Sequence, residues 1–210
     1  LEEVIRQNKF VGIVMDGERH HIDCGTNAEK NATFEKIYWW MRNLPQHQQR
    51  EAIRDLAYRY KVDLKAQCEK LIMNWEEIAE LSRDPLVTIG AHTVNHYAVS
   101  CLPEQEARSE MMDSAKIISS YTGEIPRHFS YPYGDPGSAG VRDFKIAKEL
   151  GFLTAVTTRK GVLHDSHAQH LTALPRISLN GAYQSLRYLN LFLSGAPFAL
   201  MNRLQKLDVA

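Results

Sequence analysis

An alternation of helical stretches with short apolar runs, beginning near residue 74, constrains this chain more than any other feature. The apolar run at 86–89 stops at Gly90, and an apolar run ending at a glycine reads as a buried strand leaving its sheet. Strands are expected at 86–90, 127–131, 152–157 and 173–179. Between and around them, helices are expected at 75–82, from Pro103 to about Tyr121, at 138–150 and at 181–193. Gly123 is expected just past the end of the second of these, and Gly151 past the third. Strands alternating with helices specify a parallel α/β sheet or barrel.

The segment before residue 74 has a different texture. Val11-Gly12-Ile13-Val14-Met15 and Arg19-His20-His21-Ile22-Asp23 flank Asp16-Gly17, a strong hairpin-turn signal. Residues 27–72 then read as helical and polar-rich, divided by Pro45. Tyr38, Trp39, Met41 and Leu44 form an apolar stripe on the first part; Ile53, Leu56, Ala57 and Tyr60 do so on the second. The organisation expected is a hairpin plus helical insertion or lid over 1–73, followed by an α/β part over 74–210. The chain opens on Leu1-Glu2-Glu3-Val4-Ile5, which reads as the interior of a helix, so a preceding segment is expected.

Composition excludes several classes. Apolar residues make up 44% of 210, enough for a real core. Formal net charge is zero with no basic stripe, which argues against nucleic acid as the main partner. No apolar segment approaches the ~20 residues that cross a bilayer. Cys24, Cys68 and Cys101 are odd in number and widely spaced, so no disulfide framework is expected. Free thiols suit a reducing compartment, and the cytoplasm is the expected location.

Two motifs carry chemistry. In His92-Thr93-Val94-Asn95-His96 two histidines lie four residues apart, directly after a strand-ending glycine. Such a pair can aim two nitrogen ligands at one point on the rim of a sheet, with Thr93 and Asn95 as supporting hydrogen-bond partners. Nine histidines in the chain make the spacing alone a weak signal, and helix capping or a surface loop is the plain alternative. The second motif, Phe129-Ser130-Tyr131-Pro132-Tyr133-Gly134, follows the next expected strand. Its aromatic–proline–aromatic–glycine turn offers a flat apolar surface and an outward backbone N–H, or else a packed corner.

Together the two motifs resemble the polysaccharide deacetylase family, also called the NodB-homology or carbohydrate esterase 4 domain. His92-Thr93-Val94-Asn95-His96 matches its H-(S/T)-x-x-H motif, and Pro132-Tyr133-Gly134 its P-(Y/F)-G motif. Trp75-Glu76-Glu77-Ile78, Gly90 and Leu174-Pro175-Arg176-Ile177 also look like the family, and the resemblance covers roughly 74–180. It implies a distorted (β/α) barrel, here incomplete at the N-terminus and carrying a helical insertion. It implies a divalent metal, zinc first, held by His92 and His96, whose bound water attacks an acetyl carbonyl. By resemblance the backbone N–H of Tyr133 stabilises the oxyanion, and Tyr131, Pro132 and Tyr133 line the substrate. The substrate class implied is an N-acetylated or O-acetylated polysaccharide or oligosaccharide.

Departures from the family pattern are equally informative. The family's T-F-D-D motif, which supplies a general base and the third metal ligand, does not occur in the sequence. Its aspartates are therefore expected upstream of Leu1. The nearest imitation, Ile13-Val14-Met15-Asp16-Gly17, is more simply a hairpin turn. Arg176 is a candidate for a substrate-side or supporting role. His164, in Val162-Leu163-His164-Asp165, resembles the family's late acid, but it sits in a polar segment with His167 and His170 that reads as a loop. Two rival readings stay open: a non-catalytic carbohydrate-binding relative, and an unrelated metal-dependent hydrolase using Asp16 or the His164 cluster. A barrel lacking its first strand exposes edges and apolar surface. Pairing with the missing segment or with a second copy is expected.

Overall fold

A computed structural model describes residues 1–205, Leu207 and Val209, and divides the chain into two units, Leu1–Asn74 and Trp75–Ala210. In the first unit, α1 (Glu2–Gln7) precedes an antiparallel hairpin of β1 (Phe10–Met15) and β2 (Glu18–Asp23). Asp16 and Gly17 both take positive φ, 54° and 85°, as a two-residue turn that matches strand twist requires. Thr26 and Glu29 form a reciprocal cap on α2 (Asn27–Asn43), and Pro45 starts α3 (Gln46–Arg59); α4 (Leu64–Leu71) follows. The core of this unit is Val11, Ile13, Met15, Ile37, Met41 and Leu56. Trp39 and Ile53, expected on the apolar stripes, are exposed, and Ile37 takes the buried place on α2.

The second unit is helix-rich around a narrow parallel ladder. Its elements are α5 (Trp75–Leu81), α6 (Glu104–Thr122), β3 (His128–Ser130), α7 (Val141–Glu149), β4 (Thr154–Val156), α8 (Leu186–Leu193) and α9 (Ala196–Met201). Gly123 ends α6 in the left-handed conformation, φ 83°, as its sequence position predicts. β3 and β4 pair in parallel, and single parallel bridges extend the ladder on both sides: Ala91 to Phe129, and Leu174 to Val156.

Two expected strands shrink to these single bridges. Residues 86–90 do not form a strand; Ala91 alone joins the ladder, donating to His128 O at 2.8 Å and accepting from Ser130 N at 2.9 Å. Leu86 is 93% exposed, and the Val87 N–H turns back to Asp84 O. This run lacks the burial that holds a pleated strand in place. Residues 173–179 are likewise reduced to Leu174: the next donor on that side, the Arg176 N–H, goes to Arg159 O at 2.9 Å and leaves the regular ladder. The expected helix at 138–150 starts later, at Val141, since Asp135 ties Gly137 and Ser138 into the preceding turn.

Burial centres on the ladder. Phe129, Tyr131, Phe144 and Phe152 pack with ring centroids 5.1–5.4 Å apart, backed by Ala107, Met111 and Ala115 from α6. Each such ring pair contributes about 0.5–1.5 kcal/mol beyond its area. Arg142 donates to Leu102 O at 2.9 Å and Val99 O at 2.6 Å, which ties the start of α7 to the 3-10 turn Val99–Cys101.

Candidate functional site

Four connections leave the ladder at the carboxyl ends of its parallel segments: His92 after Ala91, Tyr131 after β3, Thr157 after β4, and Pro175 after Leu174. Parallel pairing puts these exits on one edge, where α/β sheets place ligands. Both sequence motifs therefore converge on that edge.

The histidine loop is built against backbone preference. Thr93 and His96 sit at φ 64° and 55°, left-handed values uncommon outside glycine and rarest for a β-branched residue such as Thr93. These two reversals wrap the loop so that the His92 and His96 rings meet at 4.9 Å, near edge-on at 73°. His92 Nδ1 lies 2.5 Å from Ser130 O. A carbonyl only accepts, so Nδ1 carries the proton and Nε2 keeps its lone pair for a ligand. Both histidines are exposed on the surface. Thr93 does not support the ligands as expected: its hydroxyl oxygen is buried without a hydrogen-bond partner among the described residues.

The loop is held instead by a residue that the sequence motifs do not contain. Glu110 on α6 accepts from Val94 N at 3.0 Å, Asn95 N at 2.8 Å and Asn95 Nδ2 at 2.5 Å. It is 8% exposed and sits in the stripe Ala107, Met111, Ser114, Ala115. A lone carboxylate on an otherwise small and apolar helix face is the sequence signal that points to it.

At the second motif, Tyr133 takes φ 61° and Gly134 φ 66°. A Cβ at Gly134 would come within 2.6 Å of Thr158 N, so this corner admits only glycine. Thr158 locks it from β4's exit, its N–H donating to Gly134 O at 3.0 Å and its hydroxyl to Tyr133 O at 2.6 Å. The Tyr133 ring stands edge-on to His96 at 4.8 Å. Tyr131 and Pro132, expected to line the substrate, belong to the core. Both are fully buried, and Tyr131 donates its hydroxyl to Thr172 O at 2.8 Å. Burial pushes the Tyr131 phenol far above its ordinary range. Strand alternation explains this correction, since β3 turns Phe129 and Tyr131 to the same inner face.

Arg176 is exposed and reaches the site: its Nη1 donates to Ser130 Oγ at 3.3 Å, on the residue whose carbonyl holds His92. His164 is not brought there. Its backbone N–H donates to His167 Nδ1 at 2.9 Å, and its ring faces His167 and a cleft lined by Val162, Gly195, Phe198 and Leu207. Asp16 occupies the hairpin turn and accepts from Trp40 Nε1 at 3.1 Å. Among the described residues no cluster of three or more His, Cys, Asp or Glu forms, at the pair or in the 164–170 segment. The donor set thus fits a divalent ion in part. It offers two exposed imidazoles, one of them fixed in the ligand tautomer, of the three protein ligands that a catalytic zinc takes.

Comparison with known proteins finds similarity over part of the chain. Residues 67–155 match the family model for polysaccharide deacetylase. Over 105 residues the chain is 29% identical to YxkH of Bacillus subtilis (strain 168), provisionally named a polysaccharide deacetylase. That match covers 50% of this chain and 36% of the relative, so the chain spans about a third of that protein's length. In fold it is similar to the Streptococcus pyogenes deacetylase PplD, solved in complex with acetate. The TM-score is 0.50 at 19% identity over 69% of this chain and 64% of that one. The BpsB deacetylase domain from Bordetella bronchiseptica aligns with TM-score 0.42 at 22% identity, over 50% and 48% of the two chains.

Proposed function

We propose that the chain is a member of the polysaccharide deacetylase family, whose model residues 67–155 match, and that it removes acetyl groups from an acetylated polysaccharide or oligosaccharide, using a divalent metal, zinc first, held by His92 and His96. One observation carries the reading: His92, His96 and Tyr133 converge at the carboxyl edge of a parallel ladder, with His92 fixed in the tautomer that a ligand needs. Such an ion supplies Lewis acidity, polarising a carbonyl and making water a better nucleophile near neutral pH.

The chain's own residues do the positioning. Ser130 O holds the His92 ring by its Nδ1–H. The Tyr133 backbone N–H is assigned to the acetyl oxygen as it takes up negative charge. Gly134 and Thr158 hold that turn in shape, and a preset donor costs no reorganisation during the reaction. The Tyr133 ring offers a flat face to a sugar, and Arg176 a donor to substrate oxygens beside Ser130. Proton transfer belongs to a carboxylate base, a role assigned to no described residue. In the same reading the ladder is part of a distorted (β/α) barrel, and residues 1–73 are an insertion or lid.

Calorimetric zinc titration tests the proposal. The wild-type chain should bind, and His92→Ala and His96→Ala should each weaken binding about 100-fold or more, since two ligands become one. Unchanged binding in both variants sinks the reading. Zinc binding without acetate release from an N-acetylated oligosaccharide moves the function to a carbohydrate-binding relative.

A further inference from the structure

We propose that Glu110 is a positioning residue: a buried carboxylate latch that holds the His92–His96 loop in the one conformation where both rings face the same point. The inference rests on the reading of that pair as metal ligands and names what preorganises it.

The loop needs an external hold. Two of its five residues, Thr93 and His96, are in left-handed backbone, each a conformation costing an L-residue free energy in isolation. The Thr93 hydroxyl oxygen adds to this cost, being buried without a partner among the described residues. Left to local preference, the loop relaxes to extended backbone and the rings part. Glu110 opposes this from α6. Its Oε2 takes both the Val94 and Asn95 N–H groups, which a turn between two left-handed residues points in one direction, and its Oε1 takes the Asn95 amide. Hydrogen bonds from neutral donors to a charged acceptor are stronger than neutral pairs. Glu110 is 8% exposed, so water competes little for its oxygens. The amide-to-carboxylate bonds span about fifteen residues of sequence, joining the loop to the face of α6 that packs on the core through Ala107 and Met111.

The hydrogen bonds described for Glu110 go to Val94 N, Asn95 N and Asn95 Nδ2, so its hold on the ligands acts through the loop between them. Glutamine has the same shape but only one acceptor oxygen, and it presents N–H donors where the loop also presents donors. In Glu110→Gln the negative charge that strengthens all three bonds is gone, and the amide group faces the Asn95 NH2 unless that side chain turns over.

The experiment is zinc and cobalt(II) titration of the whole chain, with thermal melting in parallel, for five proteins: wild type, His92→Ala, Glu110→Gln, Glu110→Gln with Thr93→Gly, and Met111→Ala. Glu110→Gln should lose affinity about 10- to 100-fold, the usual range for partners that orient ligands, and should alter the cobalt d–d spectrum. Thr93→Gly removes the left-handed penalty of a β-branched residue and should restore part of the lost affinity. Met111→Ala destabilises the same helix through a core cavity and should leave affinity within about twofold. Wild-type affinity in Glu110→Gln, with His92→Ala impaired, overturns the latch alone. Affinity loss in Met111→Ala matching that of Glu110→Gln also overturns it, since stability then explains both. Where Glu110→Gln fails to fold, hydrogen exchange of the wild-type Val94 and Asn95 amides decides: fast exchange overturns the latch, and slow exchange supports it. No binding by wild type defeats the metal reading instead.

Discussion

The segments 92–96 and 164–170 contain similar residues and reach opposite ends. Each places histidines three or four positions apart with polar neighbours. In the first, two left-handed residues and a carboxylate from α6 shape a loop whose two exposed rings meet edge-on at 4.9 Å. In the second, the 3-10 turn Asp165–Gln169 lets His167 fold back on its own segment. His167 Nδ1 accepts the His164 N–H at 2.9 Å, and the His167 ring is buried. Nδ1 also lies 3.2 Å from His164 O, but the nearer N–H takes its lone pair, so the ring caps a turn. Histidine spacing therefore proposes a site, while the partner of the unused ring nitrogen decides it. A ring nitrogen bound to a carbonyl frees the other for a ligand, and one bound to an N–H does not.

Removing ligands is the strongest way to break this contrast. Replacing His164 and His170 together with alanine should leave zinc affinity within about twofold, against the loss of ~100-fold expected for His92→Ala. Equal losses measured by calorimetry would merge the two segments into one kind of site. A smaller effect separates them by stability. His167→Ala removes a buried acceptor and should cost about 1–3 kcal/mol in urea unfolding, with metal affinity unchanged. The smallest tests stored strain. Thr93→Gly should stabilise the chain by up to about 1 kcal/mol, because it relieves a left-handed β-branched residue and deletes an orphaned hydroxyl. Ser166→Gly, in the turn with no such strain, should cost up to about 1 kcal/mol. A loss at Thr93 equal to that at Ser166 would deny any special strain to the histidine loop.

Much of this was legible in the sequence where the cause is local. The Asp16-Gly17 hairpin, Pro103 and Gly123 bounding α6, and Pro45 between α2 and α3 all follow from single residues acting within a few positions. The His92–His96 motif and the Pro132-Tyr133-Gly134 corner were legible for the same reason. Strands at 86–90 and 173–179 were not, since strand formation needs a neighbour, and sequence pattern does not say which runs obtain one on each side. Tyr131 was misplaced because motif position does not reveal the face on which a strand turns its side chains.

The sequence by itself determined most of the order of elements, the resemblance to a family, and which two histidines lie close enough to act together. Only the tertiary structure decided how their rings meet. That outcome depends on Ser130 O orienting one ring and Glu110 bracing the loop from α6, contacts that cross tens of positions or the width of a helix. Arg176, too, arrives beside Ser130 only through the fold. Local preference runs against the left-handed backbone at Thr93 and His96, so no reading of neighbouring residues could have predicted it. The long-range hydrogen bonds that oppose that preference exist only once the chain has folded.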